Sequence, residues 1–465
     1  MSTFSGLNSA LSALYAQRRA LDITGQNVAN VNTEGYSRQR VELSPVENVT
    51  EPARYSLSTG VGDGVRITGV TRLHNEFMTN RTRSEHGLNE YLQAHKTVYA
   101  NIEQALGEPS DSGLQAQLSE YWSAWSDVAN RPGDTSARTA LLSRANTVAG
   151  TMRTTRANLG ELYTATREQL GADVNVVNQT TAGIADLNAR ISLAGVAGMP
   201  TNELSDKRDQ LVLRLSELTG ATARTRPDGS TDVLLAGAVI VQGDTVRQLE
   251  AVGSPTVDGR AAAPPQVQFV GGAVASITNG KIASRLEALT KTIPDAVQGL
   301  DNVAGLLVSA VNAQHAQGFD ITVVPPSTVP TPVQGGAFFS GTDARTIGVA
   351  ISDPSKVAAS STAVNPFQGD NAIAMADLAK EPNGADVRYR NFVVDTGIAA
   401  QTINRRADAQ QVISDDVTSA EQAESGVSLD EEMTNMLQFQ RAYEAAAKVI
   451  SVVDTTLDTL INMKR

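Results

Sequence analysis

Apolar residues spaced four and three apart run along both ends of this 465-residue chain, and no other feature constrains its fold as much. From Phe4 the spacing continues through Leu7, Leu11, Leu14, Leu21 and Val28. From Leu429 it continues through Met436, Phe439, Tyr443, Ala446, Ile450, Val453, Leu457 and Leu460. A 4-3 rhythm lines side chains along one seam of a helix, the pattern of a coiled-coil strand. Chain ends ordinarily fray because little ties them down. Here both ends carry an adhesive stripe and the bulk of the protein lies between them, which predicts a subunit that assembles through its termini.

The N-terminal seam is thin by itself. Arg18 and Gly25 fall on it, and Ala10, Ala13, Ala16 and Ala20 flank it. Burying a leucine contributes about 1.5–3 kcal/mol, so the leucines of this segment barely offset the entropy of ordering it. At about 1.5 Å per residue, Phe4–Val28 spans roughly 36 Å and Leu429–Met463 roughly 51 Å, so the C-terminal helix overhangs its partner. Two arrangements satisfy the spacing. In the expected one, both helices stay loose in the monomer and order only against neighbouring copies. In the other, they form an intramolecular antiparallel pair.

Composition narrows the function classes. Apolar residues make up 41% of the chain but aromatics only 4%, which suits helices with thin, small-residue faces rather than one thick core. The length suggests roughly three domains. A formal charge of -12 argues against nucleic-acid binding, because phosphate contacts call for a basic face. No stretch approaches the ~20 apolar residues of a membrane span, and no basic run suits an anionic bilayer. With no cysteine, disulfides, thiol nucleophiles and thiolate metal sites are excluded together. Arg18 and Arg19 follow the mildly apolar N-terminal stretch instead of preceding it, so no cleavable signal is expected.

Along the chain, the first helical pattern stops in the run Asn27, Asn30, Asn32 and Gly35, residues that tolerate left-handed backbone. An extended piece follows over Ser37–Leu43, then an irregular or hairpin-like piece around Gly60, Gly62 and Gly64. From about Arg72 to Gly220 the spacing is helical almost throughout, broken at Pro132–Gly133, with Trp122 and Trp125 as packing anchors. Between Ala221 and Gly280, turn signatures alternate with β-prone runs such as Val233–Leu234 and Val239–Val241, a small β insertion. Helical spacing resumes at Ile282 and runs to Val311. A Pro- and Gly-rich loop covers Val323–Gly341, and helices return from about Asn371 to Glu424. Ser428 and Glu431 have the spacing of a capping box for the last helix, with the acidic triplet Asp430, Glu431 and Glu432 read as a solvated helix start.

Catalytic chemistry finds little footing. His74, His86, His95 and His315 are scattered, and His86 and His95, nine apart on one helix, are roughly 14 Å apart along its axis. No nucleophile elbow, phosphate-binding loop or zinc-protease motif is present. No enzyme, cofactor or metal is expected.

Several stretches carry a family resemblance. Gly6–Leu14 and Asn27–Gln39 resemble the N-terminus of bacterial flagellar rod, hook and hook-associated proteins, and Ser425–Glu432 with Gln440–Ile450 resembles their shared C-terminus. Asp206-Lys207-Arg208-Asp209-Gln210-Leu211, Asn312–Asp320, Phe338–Ser340 and Ser352-Asp353-Pro354 are similar to the hook-associated protein 1 family, the first hook–filament junction proteins. The segment from Phe319 to about Asn371 is short, so the extra outer domain many relatives insert there is expected to be absent.

The resemblance implies a mainly α fold with a small β insertion and discontinuous, nested domains. Residues 1–44 with 425–465 would form a coiled-coil-like axial core. Residues 45–220 with 281–424 would form a long-helix bundle carrying a short irregular insert near 320–370, and 221–280 a small β-rich outer domain. It further implies a structural adapter at the hook–filament junction, extracellular and secreted without a cleavable signal peptide through the flagellar type III export channel. Expected partners are copies of itself in a ring, the hook protein, the second junction protein (hook-associated protein 3) and an export chaperone at the C-terminal helix. Neither nucleic acid nor membrane insertion is expected. The expected interface residues are Leu7, Leu11, Leu14, Leu21, Val28, Met436, Phe439, Tyr443, Ile450, Val453, Leu457 and Leu460. A hook or distal rod subunit shares both termini and is the alternative.

Overall fold

The computed structural model describes residues 3–46, 64–322 and 331–463, with the side chains of residues 3–5 and 460 outside that description. The glycine cluster at Gly60 and Gly62 and the first part of the Pro- and Gly-rich loop therefore lie outside the described residues. Helix α1 (Thr3–Ala29) leads through the Asn-rich turn into an antiparallel hairpin of β1 (Gln39–Pro45) and β2 (Val65–Arg72), with Gln39 opposite Arg72 and Val41 opposite Val70. Helices α2 (Glu76–Leu106), α3 (Leu114–Asn130), α4 (Thr135–Val196) and α5 (Asn202–Thr219) then fill the stretch read as helical. Pro132 and Gly133 separate α3 from α4, and α5 ends at Gly220, whose left-handed backbone lets its N–H reach the Ser216 carbonyl.

Strands β3 (Thr222–Thr225), β4 (Thr231–Leu235), β5 (Ala238–Gln242) and β6 (Thr245–Val246) form an antiparallel meander, while β7 (Leu249–Val252) pairs separately with β8 (Gln266–Phe269). The β-prone run at Ala273–Ile277 forms one bridge, Val274 to Gln268, and no strand. Gly271 and Gly272, both at positive φ, turn the chain just before it. Helix α6 (Gly280–Glu287) passes through a π turn at Ala288–Thr292 into α7 (Ile293–His315). The short pair β9 (Phe339–Ser340) and β10 (Gly348–Val349), then α8 (Asp370–Asp377), α9 (Ala385–Ser425) and α10 (Leu429–Asn462), complete a mainly α fold with little β structure. No helix among the described residues is long and apolar enough to cross a membrane.

The chain divides into two units, each assembled from separated segments. The first comprises Met1–Gly87, Val177–Gln248 and Gln411–Arg465, and the second Leu88–Val176 and Leu249–Gln410. The core of the second unit contains both tryptophans. Trp122 donates its indole N–H to Asp386 at 2.7 Å, and Trp125 lies 5.4 Å from Phe338, ring centre to ring centre. His315 packs edge-on to Phe338 and Trp125 in the same cluster. His95 is buried and stacks on Tyr99. In the first unit, α1 packs along α10 and also against the β1–β2 hairpin. The two terminal helices thus pair within a single chain, which corrects the expectation that both stay loose until assembly. Half of the buried stripe of α1 is alanine, so the backbones approach closely and many small contacts add up.

Candidate functional site: the paired terminal helices

The buried stripe of α1 is Ala10, Ala16, Ala20, Ile23, Thr24 and Asn27. The leucines expected to form the seam flank it instead. Leu7, Leu14, Leu21 and Val28 are half-buried, and Leu11 is 40% exposed. On α10 the expected residues do lie on the covered side: Met436, Phe439, Tyr443, Ile450, Val453 and Leu457 are half-buried and Ala446 is buried. The Leu460 side chain is outside the described residues. Alternation explains the difference between the two helices. In α1 leucines and alanines occupy adjacent rows of the same helix, and close packing selects the smaller row, whereas α10 has one apolar row on that side.

Outside the pair, apolar side chains remain uncovered. Leu429, Met433 and Leu437 follow one another at four-residue spacing along α10, with Val449 and Val452 further on, and Tyr15 joins Leu11 on α1. All seven are at least 40% exposed. Within one chain nothing among the described residues buries them.

The closed end of the pair holds a polar network that spacing did not reveal. Asn27, at the last turn of α1, makes four hydrogen bonds. Its amide donates to the Gln39 carbonyl and to Glu432 Oε2, each at 2.9 Å, and its Oδ1 accepts from Tyr36 Oη at 2.9 Å and from the Gln39 N–H at 3.1 Å. The other Glu432 oxygen accepts from Arg38 Nε at 2.7 Å, and Arg38 Nη1 reaches Glu431 at 2.5 Å. The Arg38 backbone N–H donates to the Ser425 carbonyl at 2.9 Å, just ahead of α10. Glu432 is 1% exposed, so these partners are what make a buried carboxylate tolerable. Burial, then the carboxylates of Asp206, Glu203 and Glu432, push the Tyr36 hydroxyl up to about 12, so it stays a donor.

This corrects the reading of the last helix's start. Ser428 is the N-cap residue but makes no side-chain capping bond, and Glu431 turns outward to Arg38 rather than back to the helix end. Glu432 is part of an ion pair and not solvated. Its signal was present in the sequence: Glu432 lies four residues before Met436 on the seam row, so a helix drawn to its first turn places it inside.

A second charged cluster ties α5 to the hairpin. Arg72 bridges Asp206 at 2.9 Å and Asp209 at 2.6 Å, and Asp209 also meets Arg83 and Arg208, each at 3.3 Å. Burial alone would raise the Asp209 carboxyl, but the guanidiniums of Arg72, Arg208 and Arg83 outweigh it and hold the group below its ordinary value. Arg83 and Arg208 are themselves lowered, because burial outweighs their share of one carboxylate. Gln210 donates to the Glu34 carbonyl at 2.5 Å beside Gly35, whose φ of 72° and contact with Gln210 leave no room for a Cβ. The Asp206–Leu211 stretch thus has a structural task. Among the described residues no group of three or more His, Asp or Glu side chains is placed to hold a metal.

Three family profiles match the chain. The flagellar hook-associated protein FlgK helical domain matches residues 99–326, the flagellar basal body rod FlgEFG protein C-terminal matches 422–463, and the flagella basal body rod protein matches 7–36. The flagellar hook-associated protein 1 of Bacillus subtilis is 28% identical over 99% of this chain and 98% of its own length. The chain belongs to the FlgK family. The Escherichia coli flagellar hook-associated protein 1 is 26% identical over 98% of this chain and 99% of its own. In fold, the chain is similar to the flagellar hook junction protein FlgK of Burkholderia pseudomallei, with a TM-score of 0.62 over 74% of this chain and all of that one at 18% identity. The two rod-protein profiles fall on α1 with its turn and on α10 with its approach, the segments the polar network joins.

Proposed function

We propose that this chain is a structural subunit of the bacterial flagellum that joins the hook to the filament, assembling through its paired terminal helices. The observation that carries the reading is the pair itself: two chain ends brought together as one antiparallel unit, with Leu11, Tyr15, Leu429, Met433, Leu437, Val449 and Val452 left uncovered on its outside. Apolar stripes of this kind mark interaction surfaces. Membership of the FlgK family supports the choice of flagellar neighbours over any others, and near full-length similarity to hook-associated protein 1 relatives favours a junction subunit over a hook or rod subunit.

In this reading, copies of the chain form a ring, one face meeting the hook protein and the other the second junction protein. Leu7, Leu11, Leu14, Leu21 and Val28, with the seam residues of α10, would then pack between copies as well as within one. The chain would leave the cell through the flagellar export channel without a cleavable signal peptide, escorted by a chaperone that holds α10. No catalytic role is part of the proposal. Electron microscopy of a deletion strain, with flagellin assayed in the medium, tests it. Hooks without filaments and unpolymerised flagellin outside the cell are the expected result. Missing hooks would move the subunit to the rod or hook, and normal filaments would end the axial reading.

A further inference from the structure

We infer that Asn27, Arg38 and Glu432 form a register pin: they select one axial alignment of α10 against α1, which the apolar seam between those helices does not select. The seam is repetitive. On α1 it presents Ala10, Ala16 and Ala20, with Ala13 half-buried beside them, and on α10 a row of apolar residues from Met436 to Leu457. Sliding α10 by one turn, about 5.4 Å, places an apolar side chain opposite a small one again at nearly every rung. Such a surface specifies alignment weakly, as uniform coiled-coil seams do.

The polar end is different. Glu432 occupies the same seam row as Met436, Phe439 and Tyr443, and is its one buried charge. A one-turn slide would bring Met436 or Leu429 to Asn27 and carry Glu432 away from Asn27 and Arg38. All four hydrogen-bonding positions of the Asn27 amide are used, two of them by the Gln39 backbone, so Asn27 cannot follow the slide. Arg38 is held likewise, by its N–H on Ser425 and its carbonyl, which accepts from Leu73 N–H at 2.7 Å. The misaligned pair would therefore keep its apolar contacts and lose its polar ones, leaving a buried carboxylate unpaired. A single buried polar site setting register against an otherwise permissive seam is a known use of such groups.

Resting on the junction reading above, the pin also decides at what height Leu429, Met433 and Leu437 are offered to neighbouring copies, so it positions the assembly surface without being part of it.

The chain has no cysteine, so introduced pairs report alignment cleanly in the purified full-length protein. Asn27 meets Glu432 where α1 ends and α10 begins, so the helices run antiparallel, and equal numbers of residues from that contact place Ala13 opposite Ala446. Ala13→Cys with Ala446→Cys should oxidise to a disulfide more than about tenfold faster than Ala13→Cys with Ile450→Cys. Moving the carboxylate one turn, Glu432→Leu with Met436→Glu, should reverse that preference. Unchanged preference for 446 in the moved variant, or none in the parent, would overturn the proposal. Where the moved variant does not fold by circular dichroism, Asn27→Ala decides: near-equal yields at 446 and 450 support the pin, and a retained preference overturns it. Complementation of a deletion strain separates this from the junction reading. A slid register with normal filaments would refute the link to assembly and leave the pin standing.

Discussion

His315 shows how one side chain can make a loop depend on pH. The Ala358 N–H donates to its Nε2 at 2.9 Å, and its Nδ1 lies 2.7 Å from the Gly336 carbonyl. Those partners require a proton on Nδ1 and none on Nε2, the neutral ring. Burial lowers the pKa of His315, with the Gly336 carbonyl and Asp320 opposing and Arg138 reinforcing. Because the folded value is depressed, the unfolded chain takes up the proton first. The stability this ring confers is complete above the ordinary histidine value of about 6.5 and is lost as pH falls through the folded value. Hydrogen exchange over residues 336–358, corrected for intrinsic rates, should accelerate between about pH 7 and pH 5, and His315→Gln should flatten that dependence. Equal acceleration in both proteins would remove His315 as the cause.

At the scale of elements, α5 is attached to the β1–β2 hairpin by charge, through Arg72, Asp206 and Asp209, and by Asn202, whose amide donates to the Val70 carbonyl at 2.9 Å. Asp209→Asn would leave Arg72, Arg83 and Arg208 crowded around a neutral amide. A loss of about 3–5 kcal/mol is expected in denaturant unfolding of the first unit, the usual cost of removing one partner from a buried pair. The depressed Asp209 pKa gives the sign with pH: its contribution is present above the unfolded aspartate value of about 4 and disappears in more acid solution. The variant should therefore lose its disadvantage below that range. Element existence was plain in the sequence, from α1 through α10, because 3.6-residue periodicity needs only local information. The seam chosen on α1 was not plain, because leucine and alanine rows lie side by side and only the partner helix decides which is covered.

For the whole molecule, the informative fact is that the chain leaves and re-enters each unit, so its two ends meet in the first one. Charge placed on the α10 seam tests what that meeting is for. Leu457 is half-buried, so Leu457→Asp should leave the soluble chain folded, with stability lowered by about 0.5–3 kcal/mol. The same change, or Leu14→Asp, should block incorporation at the hook end in a complemented deletion strain. Incorporation at normal levels would show that these side chains close only the intramolecular pair.

The sequence by itself determined the helical class, the place of the β-prone insertion, the uncommon stickiness of both chain ends and the family resemblance, all properties of local spacing or of short runs. It left open whether the ends pair within one chain, and it misread Glu432 as a solvated helix start. Both questions turn on residues some four hundred positions apart, Asn27 and Arg38 against Glu432. Periodicity carries no information over that distance. A carboxylate at a helix start is ordinarily wet, and only the tertiary structure, by laying an arginine and an asparagine over it and excluding water, made it a buried partner.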